Sequence, residues 1–225
     1  MTGYYGEHSK VFVSVDCIVF GFDQGKLKLL IGRRQMDPGR GEWSLYGGFV
    51  RQDESLEECA SRTLYSLTGL QDIYMKQVGA YGSVNRDSGD RVISIAYFAL
   101  IDIERVKADL KHEFSAYWEE TNHLPPLLFD HKEMIQDALK TLRGMISHLP
   151  VGFQLLPPLF TLTQLQSLYE AILNETIDKR NFRKRIGEMS FIQKTDAIDK
   201  VSSKRGAALY RFNVESYRHE PVFKL

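Results

Sequence analysis

Only two cysteines and seven prolines occur among the 225 residues, and no apolar run approaches the ~18 residues that a membrane crossing needs. The first shortage excludes a disulfide scaffold. Cys17 and Cys59 also lack the spacing and companions of a metal site, and both fall in apolar patterns, so they read as buried reduced thiols. The second, with 43% hydrophobic and 12% aromatic residues, excludes a collagen or a disordered chain and indicates one or two globular domains. The third leaves no membrane span, and the polar start from Met1 to Lys10 has neither the basic flank nor the apolar core of a signal peptide, so a cytoplasmic protein is expected. Net charge is lacking too: 29 Lys and Arg balance 29 Asp and Glu. Taken whole, that zero argues against a nucleic-acid partner. Divided at residue 150 it becomes 17 basic against 21 acidic side chains, then 12 against 8, a −4 and a +4 that cancel.

The N-terminal part reads as α+β. Val11 to Phe22 alternates, with Val11, Val13, Val15, Cys17 and Val19 on one face and Ser14 and Asp16 interrupting the other. A turn at Asp23 to Gly25 and a return strand, Lys26 to Arg33, make a hairpin. Leu56, Cys59, Ala60, Thr63, Leu64 and Leu67 have helical spacing, which Gly69 ends. Two strands around the loop Asn85 to Asp90 follow, the second being Arg91 to Ile101. Asp130, with Glu133 three residues on, predicts a capped helix with a stripe of Met134, Ala138 and Leu142. Pro150, Pro157 and Pro158 mark a domain boundary, giving domains over 1–150 and 151–225. Beyond it Thr161 and Gln164 start a helix, Asp178 caps a second running to about Met189, and strands at Phe191 to Thr195 and Ala207 to Asn213 flank a polar loop. Helix, turn, basic helix and hairpin form a winged helix-turn-helix pattern.

Three groups of residues can carry chemistry. The stretch GGFVRQDESLEECASRTLYSLTGL, Gly47 to Leu70, resembles the Nudix box and keeps Gly48, Glu54, Arg62, Leu64, Gly69 and Leu70 at its spacings. In that box three glutamates converge on one helical face and hold divalent metal against a diphosphate. Thr63, Ser66 and Leu67 stand in their places here. No catalytic residue, metal or cofactor is therefore expected, with Glu54 and Arg62 left as a structural pair. Glu57 and Glu58, upstream on the same helix, are the ligands of the rival reading, a pyrophosphatase with a rebuilt metal site.

The second group is Lys179 to Arg185, KRNFRKR, with five basic side chains in seven positions. On a helical wheel Phe182, Ile186 and Met189 form the buried stripe, while Arg180 and Lys184 lie opposite and Asn181 and Arg183 flank them. Arg and Asn read base edges in the major groove, and Lys contacts phosphate or guanine. Lys179, Arg180, Asn181, Arg183, Lys184 and Arg185, with Lys204 and Arg205 as a wing, are the expected contacts to double-stranded DNA. The third group, Asp16, Trp43, Tyr46, Arg86, Asp87 and Arg91, consists of aromatic and charged residues suited to line an effector cleft for a sugar or nucleotide.

In their combined order, VSVDCIVFGF, GEWSLYGGFV with the degenerate box, NRDSGDRVISIAYFAL, LLFDHKEMIQDALKTLRG, FTLTQLQSLYEAIL, DKRNFRKRI and ALYRF resemble the Nudix-related transcriptional regulators from about Val11 to Phe212. The resemblance implies a Nudix-like α/β/α sandwich with a mixed sheet followed by a winged helix-turn-helix. It also implies a homodimeric regulator, usually a repressor, of a palindromic operator. Some branches respond to ADP-ribose and govern NAD metabolism; others control the catabolism of sugars such as arabinose. The proline usual before the double glycine is replaced by Tyr46. With the metal glutamates also absent, the sequence favours a neutral pentose such as L-arabinose as effector, with ADP-ribose as the alternative. Coupling to the DNA-binding part is expected to run through the segment Pro150 to Pro158.

Overall fold

The computed structural model describes residues 4–106, 116–201, 205–219 and 223. At its centre lies β1 (Phe12–Asp23), buried without interruption from Val15 to Phe20. One apolar face is expected from its alternation, yet both are covered, because helices pack on either side. A turn with left-handed Gln24 and Gly25 leads to antiparallel β2 (Lys26–Arg33), as the Asp-Gln-Gly signal predicts. β1 also pairs with β4 (Tyr46–Phe49) antiparallel and with β6 (Val92–Ile101) parallel. β5 (Tyr74–Tyr81) flanks β6, while β3 (Trp43–Ser44) and β7 (Ala116–Glu120) flank β2, completing a mixed seven-stranded sheet.

Alternation along β1 divides the core in two. Val15, Cys17 and Val19 pack with Cys59, Ala60, Leu64 and Leu67 of α1 (Leu56–Thr68). That helix begins in a reciprocal capping box of Ser55 and Glu58 and ends at left-handed Gly69. Ile18 and Phe20 pack on the other face with Met134, Ile135, Ala138 and Leu142 of α2 (His131–Ile146). The result is an α/β/α sandwich. One local expectation fails: Asp130 precedes α2 but makes no side-chain cap bond, so the predicted box with Glu133 does not form. Its carboxylate is held elsewhere.

Where a linker is expected, the chain is buried. Pro150–Leu155 is a 3-10 helix whose Val151, Phe153 and Leu155 are enclosed, and the core beneath α2 continues through them into the C-terminal part. That part contains β8 (Phe160–Thr161), α3 (Leu162–Leu173), α4 (Lys179–Gly187), β9 (Ile192–Asp199), β10 (Ala207–Phe212) and α5 (Val214–His219). β8, β10 and β9 form a three-stranded sheet, and with α3 and α4 the unit is a winged helix. The short α5 has no counterpart in the sequence reading. β9 runs four residues past Thr195, because its outer half, exposed on both faces, is held by pairing with Ala207 and Ala208 rather than by burial. Arg143 of α2 donates its Nε to the Ile172 carbonyl in the last turn of α3, at 2.7 Å.

Candidate functional site: a polar cleft and a basic helix

The double glycine places the box loop. A Cβ on Gly47 would meet Asp16 Oδ1 at 2.5 Å and the Val15 carbonyl at 2.6 Å, and one on Gly48 would meet Thr63 Oγ1 at 2.9 Å. Only glycine lets β4 lie this close to both β1 and α1. Arg62 then locks the loop: its Nε and Nη2 donate to Glu54 at 2.9 and 2.6 Å, and Nη2 also donates to the Phe49 carbonyl at 3.1 Å. Bonds from Arg62, together with one from the Arg51 amide, hold the Glu54 carboxyl down at about 2. The group ionises more readily folded than unfolded, so its contribution is complete above an ordinary carboxylate value and fades as pH falls from there towards 2. In thermal melts against pH, Glu54→Gln is expected to lie below wild type at neutral pH and to converge with it at pH 2–3.

Thr63, Ser66 and Leu67 of the box helix serve the fold. Thr63 Oγ1 donates to the Cys59 carbonyl at 2.8 Å, Ser66 Oγ donates to the Thr63 carbonyl at 2.9 Å, and Leu67 is buried in the core. Glu58 accepts the Ser55 amide at 2.7 Å, and Glu57 accepts the Tyr97 hydroxyl at 3.0 Å. Among the described residues no group of three or more His, Cys, Asp or Glu side chains is arranged to hold a metal ion.

On the α2 face of the sheet lies a cleft of about 210 Å³, which Asp16, Arg86 and Asp87 line as the sequence predicts. Arg34, Phe129 and His131 join them unpredicted. Ser94 Oγ donates to Asp16 Oδ2 at 2.5 Å. Arg86 is 3% exposed in its side chain and clamps Asp130 with two bonds, Nε to Oδ2 at 2.8 Å and Nη2 to Oδ1 at 2.6 Å, with Asp16 Oδ2 3.6 Å from the same Nη2. This is what takes Asp130 from its capping role. His131 Nδ1 accepts the Leu45 amide at 3.2 Å, and Nε2 lies 3.6 Å from Asp16 Oδ1. Burial holds its pKa below the usual histidine value against the pull of Asp16 and Asp130, so a neutral ring with its proton on Nε2 fits both contacts. Arg34 and Arg86 also stand 5.4 and 5.9 Å from the Phe129 ring.

Trp43, Tyr46 and Arg91 are placed elsewhere. Trp43 packs under the Arg33 guanidinium at 3.8 Å and edge-on to Tyr117. Tyr46 pairs with Cys17 rather than Asp16 in the β1–β4 register and so faces the α1 core. Arg91 Nη1 donates to the Ser83 carbonyl at 3.3 Å and ties down the loop.

In the winged helix, Asp178 caps α4 by accepting the Asn181 amide at 2.8 Å. Phe182, Ile186 and Met189 are buried, and Lys179, Arg180, Asn181, Arg183, Lys184 and Arg185 are all exposed. Arg205 is exposed beside left-handed Gly206 in the loop between β9 and β10, and Lys204 lies outside the described residues. The exposed face of α4 therefore carries five cationic side chains, Lys179, Arg180, Arg183, Lys184 and Arg185.

Residues 10–138 match the NUDIX domain model, and residues 152–212 match that of the NrtR DNA-binding winged helix domain. The chain is 36% identical over 216 residues to the ADPR responsive transcriptional repressor NtrR of Acinetobacter baylyi, covering 94% of this chain and 86% of that one. It is 34% identical over 119 residues to an ADP-ribose pyrophosphatase of Methanocaldococcus jannaschii, covering 52% and 69%. Shewanella oneidensis NrtR, solved with a 27mer DNA, superposes with a TM-score of 0.83 at 26% identity over 95% of this chain and 97% of that one. Its NUDIX domain, solved with ADP ribose, gives 0.54 at 28% identity over 60% and 90%.

Proposed function

The chain belongs to the Nudix-related transcriptional regulators with an NrtR-type winged helix, and from that membership we propose that it is an ADP-ribose-responsive repressor. It binds operator DNA as a homodimer, setting two α4 helices in major grooves about 34 Å apart, one helical turn. Lys179, Arg180, Asn181, Arg183, Lys184 and Arg185 face the groove, and Lys204 and Arg205 reach the flanking phosphates. ADP-ribose occupies the cleft lined by Asp16, Arg34, Arg86 and Asp87 and changes the affinity for DNA.

The observation that carries this reading is the pair of guanidiniums, Arg34 and Arg86, that line one cleft. Hydroxyls and a leucine at Thr63, Ser66 and Leu67 of α1 leave the box without the three carboxylates that would hold a metal beside a diphosphate. A diphosphate can then be held by arginine without metal. The same box also suits a neutral sugar, but the relatives' effector and the two arginines favour the anion. The cleft is expected to bind ADP-ribose without cleaving it.

A thermal-shift series tests the effector. Ligand at about a hundredfold its Kd stabilises the native state by about 2.7 kcal/mol, which for a chain of this size raises Tm by roughly 5–10 °C. ADP-ribose is expected to give that saturable rise and L-arabinose none; the reverse outcome selects the sugar. Incubation of the same samples with magnesium or manganese tests the enzyme reading. Formation of AMP and ribose 5-phosphate, abolished by Glu57→Gln with Glu58→Gln, would establish the rebuilt pyrophosphatase.

A further inference from the structure

Asp130 stands where a side-chain cap for α2 belongs, and its carboxylate would ordinarily accept the Glu133 amide. Instead its backbone sits at φ −94° and ψ 17° and both oxygens go to Arg86. The residue before it, Phe129, has a left-handed backbone with φ 54°, which a bulky side chain keeps only where its surroundings impose it. The pair also stands as a wall. On one side lies the cleft of about 210 Å³; on the other a groove of about 630 Å³ runs between α2 and β5, lined by Tyr81, Asp130, Glu133 and Asp137. The cleft is smaller than the ~300–1,000 Å³ typical of ligand pockets, and parting the wall would join it to the larger groove behind.

We propose that Asp130 exchanges partners on effector binding: an anionic effector takes Arg86, and the released carboxylate turns to cap α2. The exchange rests on the diphosphate-bearing effector proposed above. A diphosphate offers a guanidinium more charge than one carboxylate does, with the same two-pronged geometry. With Arg86 withdrawn, α2 loses its tether to the loop around residues 82–91, gains a cap and can shift as a unit. Sixteen residues long, it reaches about 24 Å. At its far end Arg143 bonds the Ile172 carbonyl of α3, just before the turn into α4. One helix thus bonds to the cleft at one end and to the DNA-binding unit at the other. The effector moves the equilibrium only through its different affinities for the two settings of Asp130.

The test uses the full chain, calorimetry with ADP-ribose, and fluorescence anisotropy on the duplex that the wild type selects from random-sequence DNA. Asp130→Ala removes the competitor for Arg86, so it is expected to bind ADP-ribose about five- to tenfold more tightly than wild type, since no closed state has to be opened first. Its DNA affinity should change less than twofold when ADP-ribose is added. Asp130→Asn can still cap α2 but offers Arg86 no charge. Its DNA affinity without effector should already equal that of wild type saturated with ADP-ribose. Weaker ADP-ribose binding by Asp130→Ala, or a wild-type-sized ADP-ribose response in either variant, overturns the exchange while leaving the effector assignment intact. A wild type that binds DNA but not ADP-ribose overturns the effector assignment and the exchange together.

Discussion

Alanine at both Arg180 and Lys184 is expected to lower affinity for the selected duplex by at least about thirtyfold, since a side chain well bonded to a base edge is worth about 1–3 kcal/mol. Both side chains are exposed on the face of α4 opposite Phe182 and Ile186, so neither supports the fold. Tm should stay within about 4 °C of wild type, because substitutions of exposed residues away from structural features rarely cost more than about 0.5 kcal/mol each. The salt dependence should also flatten, with the slope of log affinity against log salt falling by about one for each cation withdrawn from a phosphate. Anisotropy titrations at three salt concentrations measure both quantities. Undiminished affinity in the double variant would mean that α4 is not the DNA-reading helix.

Phe153→Ala is expected to cost about 3–5 kcal/mol, the range for removing a large aromatic side chain from a core. Phe153 belongs to the segment that joins the two parts, yet its ring stacks on Phe212 at 4.6 Å and also meets Phe160 and Phe223. Because the core under α2 runs on through this residue, the whole chain should unfold together. The tryptophans make this measurable: the chain has two, Trp43 and Trp118, and both lie in the N-terminal sandwich. In urea, the tryptophan signal and the far-ultraviolet circular dichroism should share one midpoint in wild type. In Phe153→Ala both should move to lower urea together. A tryptophan transition that stays in place would show two independently folding parts.

Elements whose determinants are local could be read from the sequence. α1 carries its capping box and terminal glycine within fifteen residues, and α4 shows its buried stripe, its Asp178 cap and its basic face within a dozen. The joint order of motifs was enough to indicate both domains. What could not be read depends on contacts across the chain. Asp130 has the sequence context of a cap, but Arg86, 44 residues away, claims its carboxylate. Trp43 and Tyr46 lie on strands of two and four residues, too short for alternation to reveal a face, whereas Asp16 lies on a twelve-residue strand whose alternation does reveal one. Phe129 and His131 adjoin Asp130 in sequence; their signal, an aromatic and a histidine around a helix start, acquires meaning only once the sheet brings Asp16 beside them.

The continuous core through Pro150–Leu155 bears on how such regulators can be rebuilt. Prolines near 150 and 157 look like a natural splice point for grafting this winged helix onto a different sensor. A cut there would divide an aromatic stack and leave Phe153, Leu155 and Phe160 facing water on one fragment or the other. Chimaeras joined at that point should aggregate, whereas exchanges that carry α2 together with everything after it keep the recipient's half of the seam to be matched only at the sheet. For this architecture the transferable module begins at the helix, about twenty residues before the prolines suggest.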